Sequence, residues 1–304
     1  MAAAGKRGTA QELPILFRYR ERRVLEKQNV AVFKRQIQIF ARLNLVHSDQ
    51  MHVHHLKPHS VQLNLSSVSL FVTCIVDQVF PQVGIAVTQV LERLGFEIDF
   101  PFAQTCCGQP ALNSGYPDEA REVALHFLKV FRDSEYIIVP SGSCASMIQH
   151  HYGDLFPRDE QLLAEARAIG GRVWEFSRFL LEIAKVDDVG AHFDGIVTYH
   201  DSCHALRELK IKEGPRRLLA KVRGLTLHEM EAAEECCGFG GTFSIKFPEV
   251  SGSMARTKMD SIRKTDAGTV VSIDSSCLMQ LRGVIQRAGL PIRAMHLAEV
   301  LASR

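Results

Sequence analysis

The sequence predicts an α/β protein of two homologous Rossmann-like halves, each with a parallel sheet, related by a pseudo-two-fold axis so that their cysteine loops converge. Three observations predict it. The eight cysteines form two single-pair-single sets, Cys74, Cys106, Cys107, Cys144 and Cys203, Cys236, Cys237, Cys277, whose corresponding members are offset by 129, 130, 130 and 133 residues. Such agreement marks an internal duplication of domain size. In both sets, strand-length apolar runs alternate with helical periodicities. The cysteines fall at or beyond the carboxyl ends of those strands, the edge where open parallel sheets hold ligands.

Residues 1–66 precede the repeats and hold 11 Lys or Arg against four Asp or Glu, while the remainder holds 25 against 30. A basic extension can dock on nucleic acid or anionic lipid. This one has no convincing basic amphipathic helix, and His52, His54 and His55 have no cysteine or carboxylate neighbour. A poorly ordered tail without a role is expected. Arg22 and Arg23 superficially match a twin-arginine signal, but Lys34, Arg35, Gln36 and Gln38 interrupt the apolar run that export requires.

The first repeat is placed at 67–190. "VSLFVTCIV" reads as a buried strand, and Val83, Ala86, Val87, Val90, Leu91 and Leu94 follow at helical spacing until Gly95 stops them. "FEIDF" reads as the second strand, with Cys106 and Cys107 in the loop beyond it. Pro117-Asp118-Glu119 opens a helix carrying Ala120, Val123, Phe127 and Phe131 on one face. "YIIVP" is the third strand, followed by Cys144. Trp174, Phe176, Phe179, Leu180 and Ile183, at mixed spacing, read as core between the repeats. In the second repeat, 191–304, "GIVTYH", "LTLHEM" and "TVVSID" are the corresponding strands. Successive loops on one sheet edge bring distant cysteines together, so each set makes a four-thiolate site.

The chain has 304 residues, 46% hydrophobic and 23% charged, ordinary for a globular protein. Its cysteines are too sparse for a disulfide scaffold, which points to a reducing, cytoplasmic setting. No stretch reaches the roughly 18 apolar residues of a membrane span, so an integral membrane protein is not expected, nor is a nucleic-acid partner. A vicinal pair does not readily bridge to itself, because neighbouring Cα atoms lie about 3.8 Å apart and an ordinary disulfide spans roughly 4.4–6.8 Å. Clustered thiols then read as metal ligands or redox groups. Structural zinc favours C-x-x-C knuckles, and the chain has none. Iron–sulfur clusters take thiolate ligands, and Gly108, Gly238, Gly240 and Gly241 would let backbone approach the inorganic sulfides and donate N–H groups to them. His204, beside Cys203, is expected to contact the site, and His200 could ligate, hydrogen-bond or be structural. Asp201 and Arg207 share that loop and could anchor an acid or a partner. "GFGGTF" lacks the third spaced glycine of a dinucleotide loop, and no catalytic triad or carboxylate pair has supporting context, so the catalytic residues stay unknown.

The segments "TCCGQPALNSGY", "PSGSCASM", "YHDSCH" and "CCGFGGTFSIK" resemble the cysteine-rich (CCG-domain) iron–sulfur family, in particular its lactate-utilization branch, across residues 67–304 and all eight cysteines. More distant relatives are the cysteine-rich component of heterodisulfide reductase and the iron–sulfur subunit of glycolate oxidase. The resemblance implies an electron-transfer component of a multi-protein system oxidising L-lactate to pyruvate, a redox subunit of dehydrogenase type. Its implied partners are an iron–sulfur subunit and a third lactate utilization protein. A glycolate oxidase-like or heterodisulfide reductase-like subunit, or a zinc or thiol redox protein, is the alternative. The heterodisulfide reductase motif ends in C-x-x-C, whereas Met147 and Gln280 stand here three residues after Cys144 and Cys277. Four cysteines per set still suffice for one [4Fe–4S] cluster each, and would equally suit one shared cluster with four spare thiols.

Overall fold

The computed structural model describes residues 67–304, and the basic extension 1–66 lies outside the described residues. Both halves run through nearly the same succession of elements. The first comprises β1 (Ser67–Leu70), α1 (Cys74–Val79), α2 (Pro81–Arg93), β2 (Glu97–Asp99), α3 (Gln109–Asn113), α4 (Pro117–Val130), β3 (Ile137–Val139), α5 (Gly142–Ser146), α6 (Glu160–Gly170), β4 (Val173–Glu175) and α7 (Phe176–Arg178). The second comprises β5 (His192–Tyr199), α8 (Cys203–Arg207), α9 (Glu213–Leu219), β6 (Arg223–Leu227), α10 (Phe243–Lys246), α11 (Pro248–Arg263), β7 (Thr269–Ser272), α12 (Ser275–Arg287), β8 (Arg293–His296) and α13 (Leu297–Ala302). Each half forms one four-stranded parallel sheet, ordered β2-β1-β3-β4 and β6-β5-β7-β8. The identical order is the structural counterpart of the cysteine offsets.

Local sequence explains the elements. Parallel neighbours require crossover helices, and both Pro81 and Pro117 open one at the position where a missing N–H costs nothing. Helix α2 buries Val83, Ala86, Val87, Val90 and Leu91, each large side chain contributing about 1.5–3 kcal/mol. Helix α4 buries Ala120, Ala124, Phe127 and Leu128, with Val123 half-buried beside them. Strands β3 and β7 are buried throughout, as sheets covered on both faces require.

Two features differ from the sequence reading. The run "VSLFVTCIV" is not one strand: β1 ends at Leu70, and Cys74 is the first residue of α1. Periodicity alone cannot separate a buried strand from a strand feeding a buried helix. Each half also has a fourth strand. Trp174 belongs to β4, paired with Ile138 of β3, while Phe176, Phe179 and Leu180 are core as expected. The mixed spacing around Trp174 follows neither the strand nor the helix period, so it hid β4.

The halves share their interior. One hydrophobic cluster joins Leu70, Val87 and Ile138 to Val197, Leu218 and Leu297, and α13 packs on α2. The Arg93 guanidinium at the end of α2 donates to the carbonyls of Val189 (2.9 Å), Leu301 (3.1 Å) and Ala302 (2.7 Å), tying α13 to the first half. At the other end of the sheets Gly142 N donates to Ile273 O at 3.3 Å, so the loops that open α5 and α12 lie against each other.

Candidate metal centre

The duplicated elements place the cysteines identically. Cys74 and Cys203 are the first residues of α1 and α8, after the N-caps Thr73 and Ser202. Cys144 and Cys277 are the third residues of α5 and α12, whose N-caps are Ser141 and Asp274. The vicinal pairs occupy the loops beyond β2 and β6. After each pair the chain turns through a left-handed glycine, Gly108 (φ +85°) and Gly238 (φ +86°), a conformation that costs other residues about 1–2 kcal/mol. That turn aims the glycine N–H back at the first cysteine of the pair, 3.5 Å from Cys106 Sγ and 3.4 Å from Cys236 Sγ. These two glycine N–H groups thus point at cysteine sulfur.

In each half the four sulfurs form one run in the same order. Cys74 Sγ and Cys106 Sγ are 3.6 Å apart, Cys106 interacts with Cys107, and Cys107 with Cys144. The second run is Cys203, Cys236, Cys237, Cys277. All eight are free thiols. Hydrogen bonds from Cys107 and Cys74 pull Cys106 down to about 3, and those from Cys203 and Cys237 pull Cys236 down to about 2. The donors move the other way: Cys74 and Cys107 are pushed up by Cys106, Cys203 and Cys237 by Cys236, with burial adding to each. Buried sulfurs gathered this closely are what a soft cation binds, taking the place of their protons.

Both quartets open into one cavity of about 100 Å³, lined by seven of the eight cysteines, Cys106 being the exception. Gly240 and Gly241 line it too, as does His204, whose Nδ1 is 3.6 Å from Cys203 Sγ. Gly108 and Gly238 stand behind the vicinal pairs. The hydroxyls of Ser202 and Ser275, also on its wall, are buried without a hydrogen-bond partner in the protein. Soft donors in two quartets and uncommitted polar groups around a shared cavity fit a metal or iron–sulfur centre.

Four further residues shape the site. Asp274 spans the halves: its carboxylate accepts from Ser143 N (2.7 Å), beside Cys144, and from Ser276 N (3.1 Å), beside Cys277. Asp201 is buried and not solvated, gripped by both Arg216 amino groups at 2.9 Å. It therefore holds the Cys203 loop and is no free anchor for an acid, and Arg207 is exposed. Lys258, 1% exposed, donates to the carbonyls of Ala232 and Ala233, just before Cys236. His200, fully buried, is lowered to about 3 by burial and then by Lys258. Lys258 and Asp274 carry no local motif. Superposing the two cysteine sets would have exposed Lys258 as a charge in an apolar slot.

Two copies of one thiol-bearing α/β unit, back to back around a shared cavity, define the class of protein. The family described as "Cysteine-rich domain" (CCG) matches residues 68–149 and 197–282, and the chain belongs to that family. It is similar, at 47% identity over 237 residues, to lactate utilization protein A from Bacillus cereus (strain G9842) and, at the same identity, to that from Geobacillus kaustophilus (strain HTA426). Either alignment spans 78% of this chain and 99% of the relative. Among solved structures, glutamate racemase RacE1 from Bacillus anthracis aligns over 79% of each chain at 10% identity, with a TM-score of 0.32.

Proposed function

We propose that this chain is the iron–sulfur electron-transfer component of a multi-protein system that oxidises L-lactate to pyruvate. The observation that carries the reading is the pair of same-order thiol quartets meeting at one cavity. The substrate is inferred from the relatives' name, lactate utilization protein A. Residues 67–190 and 191–304 would act as the two ligand-bearing repeats, with all eight cysteines as ligands of one or two [4Fe–4S] clusters. Gly108 and Gly238 would steady Cys106 and Cys236, and Gly240, Gly241 and His204 would close the cavity wall. An iron–sulfur centre supplies one-electron transfer, whereas lactate gives up two electrons, so partners are required: an iron–sulfur subunit and a third lactate utilization protein. No helix among the described residues is long and apolar enough to cross a membrane, and a cytoplasmic location is part of the proposal.

Anaerobic purification with iron, acid-labile sulfide and EPR analysis tests the centre. Iron and sulfide in matched amounts are expected, and a colourless protein with stoichiometric zinc would overturn it. Gene deletion followed by growth on L-lactate, with glycolate as control, tests the substrate. Loss of growth on L-lactate alone is expected. Loss on glycolate alone assigns the chain to a glycolate-oxidising complex instead.

A further inference from the structure

The two quartets are not chemically equivalent. The offset of 129 that relates Cys74 to Cys203 also relates Phe71 to His200, and the offset of 131 that relates Pro117 to Pro248 relates Phe127 to Lys258. In the first half Phe71 and Phe127 pack edge to face, ring centres 5.0 Å apart, as an apolar floor. In the second half an imidazole and an ammonium occupy those places. An apolar slot turned polar in one copy only is costly unless the polar groups are used.

His200 is 0% exposed, and neither ring nitrogen completes a hydrogen bond. Buried polar groups left without a partner are unfavourable. One donor atom each from His200, Cys237 and Cys277 lies within 4.8 Å of the others, and all three residues are buried. Cys203 and Cys236, by contrast, are only half-buried.

We propose that His200 is a metal ligand, its imidazole adding a nitrogen donor beside the Cys237 and Cys277 thiolates of the second centre, so that the second centre is a mixed nitrogen–sulfur site and the first a sulfur-only site. Taking that metal to be iron of a cluster rests on the reading above.

The test uses the anaerobically purified holoprotein with ¹⁵N-labelled histidine. Pulsed EPR of the reduced protein is expected to show a strong, directly coordinated histidine nitrogen coupling that changes with the isotope, disappears in His200→Phe and persists in His204→Ala. X-ray absorption at the metal edge is expected to lose its nitrogen contribution in His200→Phe. Absence of a strong histidine coupling, its survival in His200→Phe, or its loss in His204→Ala overturns the proposal. If His200→Phe does not fold, the labelled wild type and His204→Ala still decide. Zinc without sulfide would defeat the iron–sulfur reading, while the zinc-edge spectrum of the same samples would still report on His200.

Discussion

Replacing Asp274 by alanine should loosen both halves of the cysteine cavity at once. The residue is 1% exposed, caps α12 through Ser276 N and accepts the Ser143 N–H of the other half at 2.7 Å. Loss of an N-cap costs about 1 kcal/mol. Leaving the buried Ser143 N–H without a partner adds about 1–3 kcal/mol, for a total of about 3 kcal/mol. Its counterpart Ser141 caps α5 over a longer 3.4 Å bond to Cys144 N and bridges nothing between the halves, so Ser141→Ala should cost about 0.5–1 kcal/mol. In urea, with a slope of about 3 kcal/mol per molar, Asp274→Ala should lower the unfolding midpoint by about 1 M and Ser141→Ala by about 0.3 M. Near-ultraviolet circular dichroism follows the transition, with metal content matched across samples. Asp274→Asn, which keeps one acceptor oxygen, should fall between. Equal shifts for Asp274→Ala and Ser141→Ala would show that the inter-halves hydrogen bond contributes nothing.

At the vicinal pairs, Gly238→Ala should destabilise more than Gly108→Ala. Both incur the left-handed penalty, but the new Cβ at 238 would lie 2.6 Å from the Ser251 backbone oxygen, against 3.3 Å from Ala120 O at 108. Overpacking of that kind costs about 1–3 kcal/mol, and thermal unfolding of the two variants checks the order. Cys237→Ser, which keeps the side chain's size but removes a soft ligand, should retain native far-ultraviolet dichroism while losing a large share of bound iron; full iron content would count against Cys237 as a ligand. Burial holds the Glu175 carboxyl up at about 7 from 4.5, despite hydrogen bonds from Ser177 and Arg178. The folded state therefore binds the proton more tightly, so this contribution is fully present below about pH 4.5 and is lost as pH rises through 7, on the order of 3 kcal/mol. Glu175→Gln removes the effect, so the stability of wild type relative to the variant should fall between pH 5 and pH 7. A difference that stays flat would refute the burial argument.

The duplication, the alternating strands and helices, and the membership of each thiol quartet were legible in the chain because they are written as spacing. Cysteine offsets of 129–133 survive any detail of packing, and "YIIVP" or "TVVSID" must lie in a buried sheet wherever that sheet stands. Strands β4 and β8 were not legible, since their apolar residues keep no strand period and find their place only when β3 and β7 offer them a pairing edge. The same holds for the residues around the sulfurs. Nothing near Asp274 says that its carboxylate reaches Ser143, 131 positions away. "YHDSCH" leaves open which histidine faces the buried thiols and which the cavity wall, and the tertiary structure decides it: His200 lies just past the end of β5 near Cys237 and Cys277, and His204 is the second residue of α8, beside Cys203. Nor does the loop that carries Asp201 show that Arg216, 15 residues on, closes over its carboxylate. Ligand type and repeat are carried by the local chain, but which buried groups meet, and which lose their water, depends on how two sheets pack together.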